Sequence, residues 1–471
     1  MADDKISDDL FFATVRDLGE RIRTRKLSPV ALTEGYLERL EKLGRKLGAV
    51  ITITREPALK EARAAEREIR AGRYLGPLHG IPYGAKDLLA TRGIPTTWGA
   101  EPYRKQVIDQ DATVIRKLRE AGAILVAKLA MVELAGGFGY NEADASFTGP
   151  GRTPWNTRFW SGGSSTGPGA ATAAGLVGFA IGSETSGSII TPAAYCGVSG
   201  LRPTYGRVSR HGAMALSWTL DKLGPMCRSA EDCGLVLSAI AGRDPLDPTT
   251  ARRPFVFPAQ PLQRRFRIGV IKDATQGTQP AVRRNFEQSL QVLEKFCQVT
   301  AAVAFPDLPY GPVVSTVINA EGASAFRELL DSGRASQLRA ANDRWGGYPG
   351  TAILAVDYLQ AMRVRARIKK ALDELYSRFD ALVSPSRGTV AYPIDRTFDK
   401  AYPDKGGGPA VIPAGNIAGQ PAISVPNGFG PNQLPTGIQF TGRAWSEPRL
   451  LAIAQAYQEA TDWHRRRPPL K

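Results

Sequence analysis

From Ser161 to Thr204 the chain reads SGGSSTGPGAATAAGLVGFAIGSETSGSIITPAAYCGVSGLRPT, a run dominated by Gly, Ala, Ser and Thr. Side chains this small bury little apolar area, so the run is poor material for an ordinary packed core. Two arrangements satisfy it. In one, a turn leads into a helix over about residues 169–175, whose small side chains permit close packing, and a second turn follows. In the other, two serines are held where backbone approaches a bound molecule, and free backbone N–H groups bind an anion.

Lys86 favours the second arrangement. It stands alone in GIPYGAKDLL (80–89), a mainly apolar segment containing glycine. Lysine ordinarily keeps its ammonium in water, by snorkelling if necessary. Once buried, its charged form is disfavoured, its pKa falls, and a neutral amine near pH 7 is a competent general base. Histidine, the usual partner of a nucleophilic serine, occurs only as His79, His211 and His464, none near the serine-rich run in sequence. Gly163-Ser164-Ser165-Thr166-Gly167 matches the G-x-S-x-G nucleophile elbow, which would make Ser165 the nucleophile of an α/β-hydrolase esterase. An elbow directly follows a buried strand, whereas PGRTPWNTRFWSG carries two prolines and many polar groups.

GGSS at 162–165, followed by a small-residue helix and then GSETSGSIITPAAYCGVSGLRPT, resembles the signature of the amidase signature family, and GIPYGAKDLL resembles the segment bearing that family's catalytic lysine. The likeness runs from the N-terminal helices to LPTGIQFTGRAWSEPRLLAIAQAYQ near the C-terminus. It implies the amidase signature fold and an amidohydrolase with a Ser-cisSer-Lys triad. Ser188 would be the nucleophile, Ser164 the relay after a cis Gly163-Ser164 peptide, and Lys86 the base. The family's spacing of 24 between the two serines selects Ser164 over Ser165, since 188 − 164 = 24. Backbone N–H groups of Thr185, Ser186, Gly187 and Ser188 would form the oxyanion hole, water would hydrolyse the acyl-enzyme, and neither metal nor organic cofactor is required.

The resemblance also places residues 130–141 beside the substrate. Gly137, in preference to Gly136, would approach the leaving group through its backbone, and Phe138 and Tyr140 either line an aromatic wall or pack in the core. The segment 305–354 would shape the entrance. Several positions depart from the family pattern: Glu184 replaces Asp, Ser186 replaces Gly, and Thr166 and Pro168 replace small residues. Ile190 stands where arginine is usual, so the charged contact from that position to the acidic residue is expected to be lost.

The same chemistry cleaves amides, anilides, aryl esters and carbamates. A free-standing amidase acting on a small-molecule amide, as monomer or homodimer, is the first reading; the amidase subunit of a tRNA-dependent amidotransferase, releasing ammonia from glutamine, is the second. The chain carries 61 − 45 = +16 formal charges. Its basic residues are interleaved with acids, which fits a solvated surface better than a nucleic-acid partner. Cys196, Cys227, Cys233 and Cys297 form no CxxC pair, and the N-terminus MADDKISDDLFF lacks a signal peptide's basic and apolar regions. A reduced, cytoplasmic chain with no membrane span is expected.

For the fold, strands are predicted over 123–129, 266–271, 381–385, 422–426 and 437–442, with helices between several of them. The alternation indicates an α/β protein with a large mixed, mostly parallel central sheet covered by helices on both faces. One domain over 1–471 is expected, comprising an N-terminal helical region (1–72) and an α/β core (73–471). Its two helices begin near Ser28-Pro29 and Pro57. Residues 252–262 would cross the surface between two halves, and GGGP (406–409) would form a mobile loop.

Overall fold

A computed structural model of the protein describes residues 6–140, 142–258, 264–404 and 410–470. The N-terminal helices start where their capping residues dictate. The Ser28 hydroxyl accepts the Ala31 N–H at 3.2 Å and Pro29 opens the helix Pro29–Arg39, which continues into a wider turn, Leu40–Gly44. Leu32, Tyr36, Leu37, Leu40 and Leu43 are all buried, as their spacing requires. The next helix, Arg55–Arg70, buries Ala58, Ala62, Ala65 and Ile69. Between these helices lies a strand that the helical reading of 1–72 omits, and through it this region joins the sheet.

Eleven strands among the described residues form that sheet: β1 Val50–Ile53, β2 Pro82–Lys86, β3 Ile124–Leu129, β4 Phe179–Glu184, β5 Ser199–Arg202, β6 Lys222–Cys227, β7 Phe266–Ile271, β8 Cys297–Val303, β9 Ala381–Pro385, β10 Ala422–Phe429 and β11 Pro435–Thr441. Their order is β1-β3-β2-β4-β6-β5-β10-β11-β9-β7-β8. Every residue of β2, β3, β4, β6, β9 and β11 is buried, which requires cover on both faces of the sheet.

The sheet is mixed, as expected, but antiparallel neighbours are the more numerous. Parallel pairing is confined to β3-β2-β4 and β8-β7-β9. The other six pairings are antiparallel. Connection length explains part of the difference. Residues 430–434 join β10 to β11, far too few for the crossover that parallel neighbours need. Of the predicted surface crossing, residues 252–258 carry neither helix nor strand, while 259–262 and the GGGP loop lie outside the described residues. No described helix is long and apolar enough to cross a membrane.

Candidate active site

Parallel pairing of β2 with β4 sets Ala85 opposite Ile181, so Lys86, the last residue of β2, arrives beside Ser183. Its side chain is fully buried. Lys86 Nζ lies 2.6 Å from Ser164 Oγ and 2.9 Å from Ser183 Oγ. Burial lowers its pKa to about 7, against the opposing charges of Asp221 and Glu184. A neutral amine here can accept one hydroxyl proton while donating to the other hydroxyl.

Ser164 follows a cis peptide bond, Gly163-Ser164. The Gly163 carbonyl accepts the Tyr140 hydroxyl, and a Cβ at Gly163 would sit 2.7 Å from the Trp160 ring and from Val132. The Ser164 carbonyl accepts the Val132 N–H at 3.1 Å, tying the serine to the segment 130–140. The buried Phe138 packs edge-on against Phe326 at 5.5 Å, and the half-buried Tyr140 packs edge-on against Trp160 at 5.7 Å. A Cβ at Gly137 would lie 2.5 Å from Leu216 Cδ1, so this half-buried position has no room for a side chain unless Leu216 moves.

Residues 185–188 form the turn between β4 and the helix Ile190–Cys196, with Gly187 at φ +90°. Ser186 alone among residues 179–196 is half-buried; the others are buried. Two acids hold the turn. Glu184 accepts the Ile189 and Ile190 N–H groups through Oε2 at 2.8 and 3.0 Å, capping the helix. Its Oε1 accepts Arg202 Nη1 and Asn416 Nδ2, each at 2.8 Å. Burial alone would raise the Glu184 carboxyl, but Arg202 and Asn416 hold it at about 2. The charged contact expected to be missing because of Ile190 is therefore supplied by Arg202, from β5. Asp221, its pKa raised by burial, accepts the Thr185 hydroxyl at 2.6 Å and the N–H groups of Leu216 and Ser217 at 2.9 Å.

Lys86 and Ser164 are thus in direct contact, whereas Ser188 meets the serine pair through backbone: its carbonyl accepts the Ser165 N–H at 3.3 Å. Ser188 is 4% exposed, and its hydroxyl makes no hydrogen bond among the described residues. The Ser165 elbow is corrected by the fold. No strand precedes Ser165, whose buried hydroxyl donates to the Ser183 carbonyl at 3.2 Å and accepts the Ser183 N–H at 3.3 Å. That hydroxyl holds β4 in place. A cavity of about 180 Å³ reaches Ser183 and Thr185 and is walled by Leu88, Ala135, Met214 and Leu216, with Arg210 and His211 also lining it. No hydrogen bond among the described residues joins His211 to a serine of this site.

Ser183, Arg202 and Asp221 escape a reading of the sequence. Arg202 ends the short segment SGLR, whose composition carries no signal, and only the pairing of β5 in the sheet brings it to the turn. Ser183 and Asp221 meet the site only through strand pairing.

The family model described as Amidase matches residues 31–451. A glutamyl-tRNA(Gln) amidotransferase subunit from Moorella thermoacetica is 36% identical over 98% of this chain and 99% of its own length. Among solved structures, the native peptide amidase of Stenotrophomonas maltophilia is 31% identical with a TM-score of 0.83, covering 97% of this chain and 98% of that one. The corresponding glutamyl-tRNA(Gln) amidotransferase subunit from Thermotoga maritima is 29% identical with a TM-score of 0.79, covering 97% of this chain and 96% of that one. The chain belongs to the amidase signature family.

Proposed function

We propose that this protein hydrolyses a carboxylic amide through an acyl-enzyme on Ser188, with Ser164 as proton relay and Lys86 as base. The observation that carries this reading is the fully buried Lys86 amine, 2.6 Å from Ser164 Oγ and with its pKa lowered to about 7. Ser188 Oγ attacks the carbonyl carbon, its proton passes to Ser164, and the Ser164 proton passes to Lys86. The oxyanion is received by N–H groups of Thr185, Ser186, Gly187 and Ser188, held still by Glu184 and Asp221. Collapse breaks the C–N bond, the amine leaves with the proton returned from Lys86, and water then cleaves the ester. Gly137 remains the proposed backbone contact to the leaving group.

Among substrates and settings, the sequence relatives favour the reading placed second above. Identity of 36% along nearly the full length of an amidotransferase subunit supports a glutaminase that passes ammonia to a partner protein. The free-standing amidase is retained on one observation: the fold is closer to the peptide amidase, at a TM-score of 0.83, than to the Thermotoga amidotransferase chain, at 0.79. The buried thiols of all four cysteines support a reducing, cytoplasmic setting for either.

Ammonia release from glutamine and from a panel of simple amides, measured with the purified chain alone and after co-purification of any partner, separates the two. Glutamine hydrolysis that depends on a co-purifying partner supports the amidotransferase subunit. Turnover of simple amides by a monodisperse single chain supports the free-standing amidase. Absence of any Ser188-dependent amide or ester turnover removes both.

A further inference from the structure

At the far end of β6 from Lys222 lies a second cavity, of about 390 Å³, lined by Thr14, Arg228, Ser229, His464, Arg465 and Arg467, among others. Six residues of strand separate Lys222 from Arg228, about 20 Å at the usual rise, so the cavity is distinct from the catalytic end. Arg228 is only 6% exposed. Its Nη2 donates weakly to the His464 and Arg466 carbonyls at 3.4 and 3.3 Å, and its guanidinium lies 5.0 Å from the Phe12 ring centroid. No carboxylate pairs with it among the described residues. A buried guanidinium without a counter-ion is costly, and burial, with Arg467 nearby, brings its pKa down to about 10.

Arg465 and Arg467 add their guanidinium groups to the same lining. His464 Nδ1 is buried without a hydrogen-bond partner among the described residues, and burial, then Arg465 and Arg228, hold the imidazole at about 4. Ser229 and Thr14 are the N-caps of the helices Ala230–Ile240 and Val15–Arg23; their hydroxyls accept the Asp232 and Asp17 N–H groups at 3.1 Å, and Gln458 Oε1 accepts the Ala230 N–H at 2.8 Å. Glu231 and Glu459 also line the cavity: Glu231 pairs with Arg16, Glu459 accepts Gln455 Nε2 at 2.9 Å, and the buried Asp232 accepts the Arg16 N–H at 3.3 Å. Arg467 pairs with the exposed Asp9, which leaves Arg228 and Arg465 facing the cavity without acid partners among the described residues.

We propose that this cavity binds a phosphate-type oxyanion, either inorganic phosphate or the phosphate of a small metabolite, through Arg228 and Arg465. The planar guanidinium fork of Arg228 matches two phosphate oxygens, and the anion would supply the missing counter-charge.

The test is thermal stabilisation of the full chain by inorganic phosphate, pyrophosphate and ADP against sodium chloride at matched ionic strength. Saturable stabilisation is expected, weakened about tenfold in Arg465→Ala and lost in Arg228→Gln. Saturation by inorganic phosphate at the lowest concentration identifies the free ion as the ligand; tighter saturation by pyrophosphate or ADP identifies a phosphorylated metabolite. Because Arg228→Gln alters a buried residue, the wild-type protein is also crystallised with tungstate and the His464 ring protons are titrated with and without phosphate. A tungstate peak beside Arg228 and a His464 pKa raised by phosphate are the expected results. Equal stabilisation of all three proteins, no stabilisation, or a tungstate peak only elsewhere would overturn the proposal.

Discussion

Arg202 Nη1 stands 2.8 Å from Glu184 Oε1, and both side chains are completely buried. Glu184 at once caps the helix Ile190–Cys196 and ends the strand leading into residues 185–188, so this pair fixes the turn that presents Ser188. Removing one partner leaves the other charge buried and uncompensated, which costs about 3–5 kcal/mol. Arg202→Met is expected to lower unfolding free energy by that amount in urea titration and to reduce turnover in the remaining folded protein.

The same pair sets an acid limit. The folded Glu184 carboxyl, at about 2, lies below its unfolded value of 4.5, so its contribution is complete above pH 4.5 and disappears as pH falls through about 2. The stability difference between wild type and Glu184→Gln is expected to shrink across that interval. A pH-independent difference would show that the carboxylate's charge is irrelevant.

Lys86 yields opposite effects on activity and stability. Its pKa is 10.5 when unfolded and about 7 when folded, so the unfolded chain binds more protons between those values and stability rises with pH there. If Lys86 is the base, as proposed, Lys86→Met is expected to lower kcat by about 10²–10⁴-fold. It also removes a buried ionisable group, and at pH 7 it is expected to stabilise the fold by roughly 2–4 kcal/mol, a gain that shrinks toward pH 10. Calorimetry across pH checks the sign.

Ser183 is the second hydroxyl that holds the lysine, with its Oγ 2.9 Å from Nζ. One hydrogen bond to a single reacting group is worth about 1.4 kcal/mol, so Ser183→Ala is expected to cut kcat about tenfold. KM and melting temperature should barely change. A loss confined to KM would place Ser183 in substrate binding instead.

Much of this is legible from sequence, for identifiable reasons. The strands corresponding to β3, β7, β9, β10 and β11 are dense in Ile, Val and Leu or flanked by Gly and Pro, and their predicted spans agree with the fold to within a few residues. PYGAK, FAIGSE, SGLR and KLGPMC form β2, β4, β5 and β6, yet their Gly, Pro and charged residues hide the β pattern. They pass unnoticed because the sheet interior buries them without needing bulky side chains. Lys86, Ser164 and Ser188 stand out because a joint motif marks them. Arg202 and Asp221 act on the same turn from separate parts of the chain, so pairing alone makes their role visible.

The central claim is that Ser188 is acylated because Lys86, acting through Ser164, takes its proton. Its most direct test is intact-protein mass spectrometry after a fluorophosphonate probe, with the modified peptide sequenced in wild type and in Lys86→Met. The expected result is a single adduct on Ser188 whose rate of formation rises through about pH 7 and collapses in the variant. An adduct on Ser165, or labelling of Ser188 at an unchanged rate without Lys86, would contradict it.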